Sequence, residues 1–242
     1  MLYAQPHEEE RLALLSISII IPTLNEAAVI GATLDSVAKL RGPVEVLVVD
    51  GGSADGTPAI VRRYGARLIE APRGRGTQMH VGAVTATGDI LWFLHADTQP
   101  PEDATGHICE ALADPTVAGG HFAIRFDGPG QAARLLTWVY PRLRWLGLCY
   151  GDSGIFVRRT AYEQAGGFRP FPIFEDLDLL RRLKRCGRLI RLPHPITTSS
   201  RRFEGRSFTL TFAWWTVLQV LYWVGVSPRF LGRLYAPIRL RR

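Results

Sequence analysis

The chain has 242 residues, 47% apolar, 21% charged and 10% aromatic, which excludes a disordered chain and suits one globular unit with or without a small appendage. Its three cysteines, Cys109, Cys149 and Cys186, are odd in number and too far apart for a disulfide framework, a zinc knuckle or a CxxC redox pair, and they point to the reducing cytosol. The net charge of +7 hides two unlike halves: residues 1–121 hold 8 Lys+Arg against 15 Asp+Glu, a balance of −7, and residues 122–242 hold 21 against 7, or +14.

Lys39 and Lys184 are the only lysines, so the positive charge is almost all guanidinium, which suits phosphate, carboxylate and lipid headgroups. An acidic half beside a basic half fits a cleft for an anionic ligand whose metal is held from the acidic side. At the N-terminus, Glu8, Glu9 and Glu10 precede the first apolar run, which ends at Pro22 without a small-residue cleavage site. That pattern is not a secretory signal, and the expected location is cytoplasmic.

The first half alternates β-branched runs with helical patterns, the mark of a mostly parallel sheet wrapped by helices. Ser16 to Ile21 reads as the first strand, followed by a helix over about Ala27 to Leu40 with Asn25 as its cap. Val44 to Val49 is the second strand, and a glycine-rich loop leads to a helix opened by Thr57-Pro58. A strand over Ala66 to Glu70, a helix over Thr77 to Ala86, a strand over Asp89 to Leu94 and a helix over Glu102 to Ala113 complete this half.

Beyond them, His121 to Phe126 and Gly154 to Val157 read as strands, and Gln131 to Leu148 as an amphipathic stretch rich in Trp and Arg. The spacing of Leu177, Leu180 and Leu183 predicts a helix over Asp176 to Cys186, ended by Gly187. A boundary falls near Ser200 to Gly205, giving a unit over 1–205 and an appendage over 206–242. Within the appendage, Phe208 to Val226 is 19 residues without a charge, the lower limit for spanning a bilayer. Its threonines, Gln219 and Trp214, Trp215 and Trp223 favour instead an apolar helix lying on or partly in a membrane, beside a basic tail of Arg229, Arg233, Arg239, Arg241 and Arg242, although a buried core helix of the main unit explains the apolar run equally simply.

Five constellations carry chemistry. Strand two ends in Val-Val-Asp-Gly-Gly-Ser-Ala-Asp-Gly-Thr, which sets Asp50 at the edge where open α/β sheets bind ligands; a tight turn with a capping Asp explains it locally just as well. Strand four ends in Leu-His-Ala-Asp, so His95 and Asp97 can face one divalent metal, although an isolated H-x-D is more often a loop pair. Glu175, Asp176 and Asp178 open a helix, where acids also simply complement its dipole. Arg201-Arg202 and Arg73-Gly74-Arg75 are arginine pairs on turns able to reach phosphate oxygens, or basic turns in solvent.

Taken in order, Ser-Ile-Ile-Ile-Pro-Thr-Leu-Asn-Glu from Ser18, the Asp50 motif, His-Ala-Asp and Glu175-Asp176 resemble the family 2 glycosyltransferases over roughly residues 16 to 205. The chain looks in particular like a small bacterial branch of that family found beside radical-SAM and selenium-related genes. The resemblance implies a GT-A fold, Rossmann-like, with a mixed, mostly parallel sheet, and inverting transfer from a UDP- or GDP-sugar. It implies Mn²⁺ or Mg²⁺ as cofactor. By position it puts Pro22, Thr23 and Glu26 beside the nucleoside and Asp50 on the base or ribose. Arg75 and Ala96 would lie along the nucleotide-sugar, and Arg201 and Arg202 near the diphosphate. Asp97, with His95, would hold the metal, and Asp176, paired with Glu175, would be the general base.

Two departures stand out. His95 occupies the first position of the family's D-x-D, and the family's Q-x-x-R-W segment is absent, which argues for transfer of a single sugar rather than processive polymerisation. The acceptor is not named by the sequence; the apolar appendage makes a lipid-linked one, met at the cytoplasmic face of the inner membrane, the expectation. A sugar-phosphate nucleotidyltransferase is the closest competing enzyme, but Gly74-Arg75-Gly76-Thr77-Gln78 follows the third strand rather than the first. A non-enzymatic basic membrane- or nucleic-acid-binding protein also competes, yet no helix-turn-helix, RNP signature or zinc finger organises the positive charge, and no nucleic-acid partner is expected.

Overall fold

A computed structural model describes residues 15–127, 153–199 and 208–239. The first half follows β1 (Ile17–Thr23), α1 (Ile30–Ala38), β2 (Val44–Asp50), α2 (Thr57–Arg63), β3 (Arg67–Glu70), α3 (Arg75–Thr85), β4 (Ile90–Phe93), β5 (Thr98–Gln99) and α4 (Ala104–Ala111). The second continues through β6 (Val117–Phe126), β7 (Ile155–Arg158), α5 (Arg159–Gln164), α6 (Glu175–Leu183), β8 (Arg188–Thr198), α7 (Phe208–Trp223) and α8 (Pro228–Arg239). Among the described residues one sheet runs β3-β2-β1-β4-β7-β6-β8-β5. β1 to β4 are parallel, β7 runs against both neighbours, and β8 is parallel to β6. The expected mixed α/β sheet flanked by helices is the one observed.

Strand periodicity divides the core between the two faces of the sheet. Ile19, Ile21, Val48 and Trp92 point to the side covered by α1, α2 and α4, while Ile20, Leu47, Val49 and Phe93 meet α3, α5 and α6. α3 lies directly on the strands: a Cβ at Gly82 would overlap Ile20 Cγ2 and stand 2.9 Å from Val49 Cγ2. Several arginines of the basic half close backbone ends. Arg159 donates to the carbonyls of Gly88, Ala86 and Ala83 at 2.8, 2.9 and 3.2 Å, and Arg158 to that of Val117 at 2.9 Å.

Several expectations change. Asn25 is not the cap of α1, which starts at Ile30 behind Val29; Asn25 has a left-handed φ of 55° and its side chain accepts the Ala54 N–H at 2.9 Å, so it joins two loops. α3 begins two residues early, at Arg75, because Gly76 packs against the Arg169 carbonyl instead of breaking the helix. α6 ends at Leu183, and Gly187 serves the turn into β8, where a Cβ would stand 2.7 Å from the Thr116 carbonyl.

β8 was hidden by Pro193 and Pro195. Its register to β6 jumps from Phe122–Leu192 to Ala123–Pro195, so Pro193 and His194 bulge out and the His194 ring stacks on His107 of α4, centroids 3.4 Å apart. The apolar appendage is a 16-residue helix, not a 19-residue one, and no helix among the described residues is long and apolar enough to cross a membrane. The tail from Arg229 forms α8. The amphipathic stretch expected over Gln131 to Leu148 lies outside the described residues.

Candidate active site

The carboxyl ends of β1, β2 and β4 form one edge, where parallel register sets Thr23 opposite Asp50. Asp50 is buried, and its carboxylate is held by four protein donors. Oδ1 accepts the hydroxyls of Thr23 (3.0 Å) and Ser53 (2.6 Å), and Oδ2 the N–H groups of Gly52 (3.0 Å) and Ser53 (2.8 Å). Asp50 therefore closes the 50–53 loop from within.

The loops after β1 and β2 are then tied together. Ser53 Oγ accepts the Asn25 N–H at 2.8 Å, Thr57 Oγ1 that of Glu26 at 2.9 Å, and Asp55 Oδ2 that of Ala27 at 3.1 Å. The Thr57 hydroxyl and N–H on Asp55 hold its carboxyl below the usual range. Pro22 and Glu26 border this zipped wall, with the Glu26 carbonyl accepting the N–H groups of Val29 and Ile30 that start α1.

His95 and Ala96 are buried and Asp97 is half-buried just past β4. Their backbone is pinned: the Ala96 carbonyl accepts the Thr33 hydroxyl at 2.7 Å, and the His95 and Asp97 carbonyls accept the N–H groups of Thr98 and Ser199 at 3.2 and 3.1 Å. No cluster of three or more His, Cys, Asp or Glu able to hold a metal occurs among the described residues. A cation here would have Asp97 and His95 as its protein ligands and take the rest of its shell from donor and water. One carboxylate plus one imidazole fits Mn²⁺ better than oxygen-seeking Mg²⁺.

Beside the start of α3 stand the acids of α6. Glu175 is 1% exposed, paired through Oε1 with Nε of Arg75 at the start of α3, while its Oε2 has no hydrogen-bond partner. Asp176 is buried, and its Oδ1 accepts the Leu177 N–H at 2.8 Å. Asp178 is structural, bound by Arg182 at 2.6 Å one turn on and by Arg169 at 3.4 Å. Arg201 and Arg202 lie outside the described residues.

The segment entering α6 is strained. Phe174 has a left-handed φ of 63°, unusual for a bulky residue, and is held there by packing: its ring lies 5.1 Å from that of Tyr222 on α7. Ile173, Phe174 and Leu177 form one buried cluster with Leu218 of α7 and Leu231 of α8, and Gly232 sits so close to Pro172 that a Cβ would overlap its ring. Upstream, Tyr162 accepts the Phe168 N–H and meets His80 Nδ1, each at 3.0 Å; burial pushes its phenol up to about 12.

Sequence reasoning missed Gln78. Its buried amide donates to the carbonyls of both Thr23 (2.7 Å) and Val49 (2.8 Å), buckling the ends of β1 and β2. The signal available was small neighbours: Gly51 and Gly76 each leave room where a side chain would crowd this turn.

Comparison with known proteins agrees with this geometry. Residues 18–169 match the family described as glycosyl transferase family 2. A PGL/p-HBAD biosynthesis glycosyltransferase of Mycobacterium tuberculosis is 45% identical over 212 residues, 80% of this chain and 79% of that protein. The beta-monoglucosyldiacylglycerol synthase of Synechocystis is 29% identical over 190 residues, 69% of this chain but only 40% of the synthase. Among solved structures, a Pyrobaculum calidifontis mannosyltransferase in complex with GDP-Man and Mn²⁺ superposes with a TM-score of 0.65 at 21% identity, over 91% of this chain and 69% of its own. The M. tuberculosis glucosyl-3-phosphoglycerate synthase with Mn²⁺ and UDP gives 0.62 at 20%, over 93% and 88%. The chain belongs to glycosyl transferase family 2, has the GT-A fold and is a glycosyltransferase, which sets aside the nucleotidyltransferase and non-enzymatic readings.

Proposed function

We propose that this family 2 glycosyltransferase moves a single sugar, with inversion at the anomeric carbon, from a UDP- or GDP-sugar to a hydroxyl of a lipid-linked acceptor at the cytoplasmic membrane face. The observation that carries the reading is the buried Asp176 at the first turn of α6, next to Glu175, whose partner Arg75 opens the helix that brings Gln78 to the strand ends at Thr23 and Val49. Asp176 takes the proton of the acceptor hydroxyl as that oxygen forms a bond to the anomeric carbon. The bond from that carbon to the diphosphate breaks on the opposite side, so one displacement inverts the centre. Thr23, Pro22, Glu26 and the loop shaped by Asp50 seat the nucleoside. Arg75 holds Glu175 beside the base, and Arg201 and Arg202 meet the diphosphate. Mn²⁺ or Mg²⁺ on Asp97 and His95 would neutralise charge on the leaving diphosphate.

The lipid part of the reading rests on the outer face of α7 and α8. Val220, Trp223, Val224 and Phe230 are exposed there beside Arg229 and Arg233, while the inner face packs on the segment that carries Asp176. The name of one relative, a monoglucosyldiacylglycerol synthase, leans the same way. A thermal-shift screen of UDP- and GDP-sugars with and without Mn²⁺ tests the donor. The right nucleotide at a hundredfold excess over its Kd stabilises the chain by about 2.7 kcal/mol. No shift with any of them would end the nucleotide-sugar reading.

A further inference from the structure

We propose that Gln78 is a positioning residue of the transfer reaction, acting through the first turn of α3 to fix the distance between the donor edge and the base segment. The inference rests on the donor and base assignments above and adds what joins them. That turn faces two ways. On one side Gln78 donates to the carbonyls of Thr23 and Val49, and a Cβ at Gly51 would stand only 3.1 Å from its amide carbon. On the other, Arg75 pairs with Glu175, and Gly76 lies so close to Arg169 that a side chain would overlap its carbonyl and stand 3.2 Å from Glu175 Cβ.

α3 cannot slide to relieve a misfit, because Gly82 already lets it rest on Ile20 and Val49 without a gap. The turn from Arg75 to Gln78 therefore joins the carbonyls of Thr23 and Val49 to Glu175. An amide is the one side-chain head of this size that offers two N–H donors to two carbonyls at once, while its own oxygen takes the Gly74 N–H at 3.4 Å. The Thr23 carbonyl ends β1 and the Val49 carbonyl stands one residue before the end of β2, so the contact sets the spacing of the two strands beside Asp50, where it matters for ligand fit.

The test uses the full chain carrying Gln78→Met, which keeps volume and removes both donors. The Thr23 carbonyl still accepts the Gly51 N–H at 2.9 Å, so the strand end keeps one bond. Hydrogen exchange should quicken by about tenfold at the amides of Gly52 and Ser53 and also at those of Leu177 and Asp178, on the two sides of that turn. Faster exchange at the donor edge alone, with wild-type rates at Leu177 and Asp178, would overturn the proposal.

UDP and GDP with Mn²⁺ supply a second readout by calorimetry. The nucleotide that binds wild type should bind Gln78→Met about tenfold more weakly. Gln78→Glu should recover part of that affinity as pH is lowered and its carboxyl becomes a donor. A lower Tm with unchanged affinity in the folded protein is the result of a merely structural residue and would also overturn it. If neither nucleotide binds wild type, the donor reading fails by itself, and the exchange measurement still decides whether Gln78 links the two segments.

Discussion

The ends of β1 and β2 and the segment entering α6 flank the first turn of α3 but are held by different forces. At the strand ends, short polar side chains tie one loop to the next: Asp50 takes four donors, and Asn25, Ser53, Asp55 and Thr57 cross-link the rest. At α6, position comes from apolar packing of Phe174 and Leu177 on α7 and α8, around a strained φ and a carboxylate oxygen of Glu175 without a partner. The difference teaches a division of labour. The wall at the strand ends is preorganised by hydrogen bonds, whereas the segment carrying Asp176 is held by apolar packing on α7 and α8 and by the Arg75–Glu175 pair.

The sharpest way to break this comparison is to substitute the base. Asp176→Asn should cut turnover by roughly 10²-fold or more and leave nucleotide affinity unchanged; release of nucleoside diphosphate and calorimetry measure the two. Equal losses in both would place Asp176 on the donor side.

Three substitutions of intermediate effect sharpen it. Leu218→Ala should cost about 2–5 kcal/mol of stability and lower turnover without weakening nucleotide binding, because it loosens only the packed side. Asp50→Ala should cost at least about 2 kcal/mol and weaken nucleotide binding with or without Mn²⁺, since it removes charged hydrogen bonds that shape the loop. Asp97→Ala should lose only the Mn²⁺-dependent part of that affinity. Denaturant titration and calorimetry separate these outcomes.

A smaller effect concerns the outer face. Replacing Arg229 and Arg233 by Glu should weaken flotation with anionic vesicles by at least about 1 kcal/mol per residue and leave neutral vesicles unaffected. Binding to neither vesicle type by wild type would leave a small-molecule acceptor.

The smallest effects are in pH. On the polar side, the Thr57 hydroxyl holds Asp55 low, and at the opposite end of the same strands the Ser16 hydroxyl does the same for Asp89. Their stabilisation is full above the unfolded value near pH 3.9 and lost as pH falls through the lower folded values. On the packed side, Tyr162 is raised to about 12 by burial. Its contribution is full below the unfolded value near pH 10 and lost as pH rises towards 12. Thermal melts across both ranges check the signs.

Much of the polar side was legible because its determinants are local. β1 to β4 announce themselves by β-branched runs, and Asp50, His95 and Asp97 follow from standing just past strand ends. The packed side was legible only where the motif Glu175-Asp176 stands in order with the others. Nothing in the pattern of Phe208 to Val226 tells that Leu218 and Tyr222 meet Phe174, because that contact joins distant segments; the same apolar residues read equally well as facing lipid. Gln78 was overlooked because one glutamine in a helix carries no periodicity. Asn25 misled because a residue suited to capping is equally suited to bridging loops.

The bulge in β8 bears on how the molecule behaves in company. Among the described residues, β8 pairs along one side with β6, but on the other meets β5 only at Thr197 and Thr198. A strand of 11 residues with an open rim is a template on which another chain could polymerise. Pro193 and Pro195 have no N–H to offer, and the two displaced residues break the even spacing that an incoming strand would have to match. The irregularity that obscured the strand thus makes the rim that β5 leaves uncovered a poor template for a second copy of the chain.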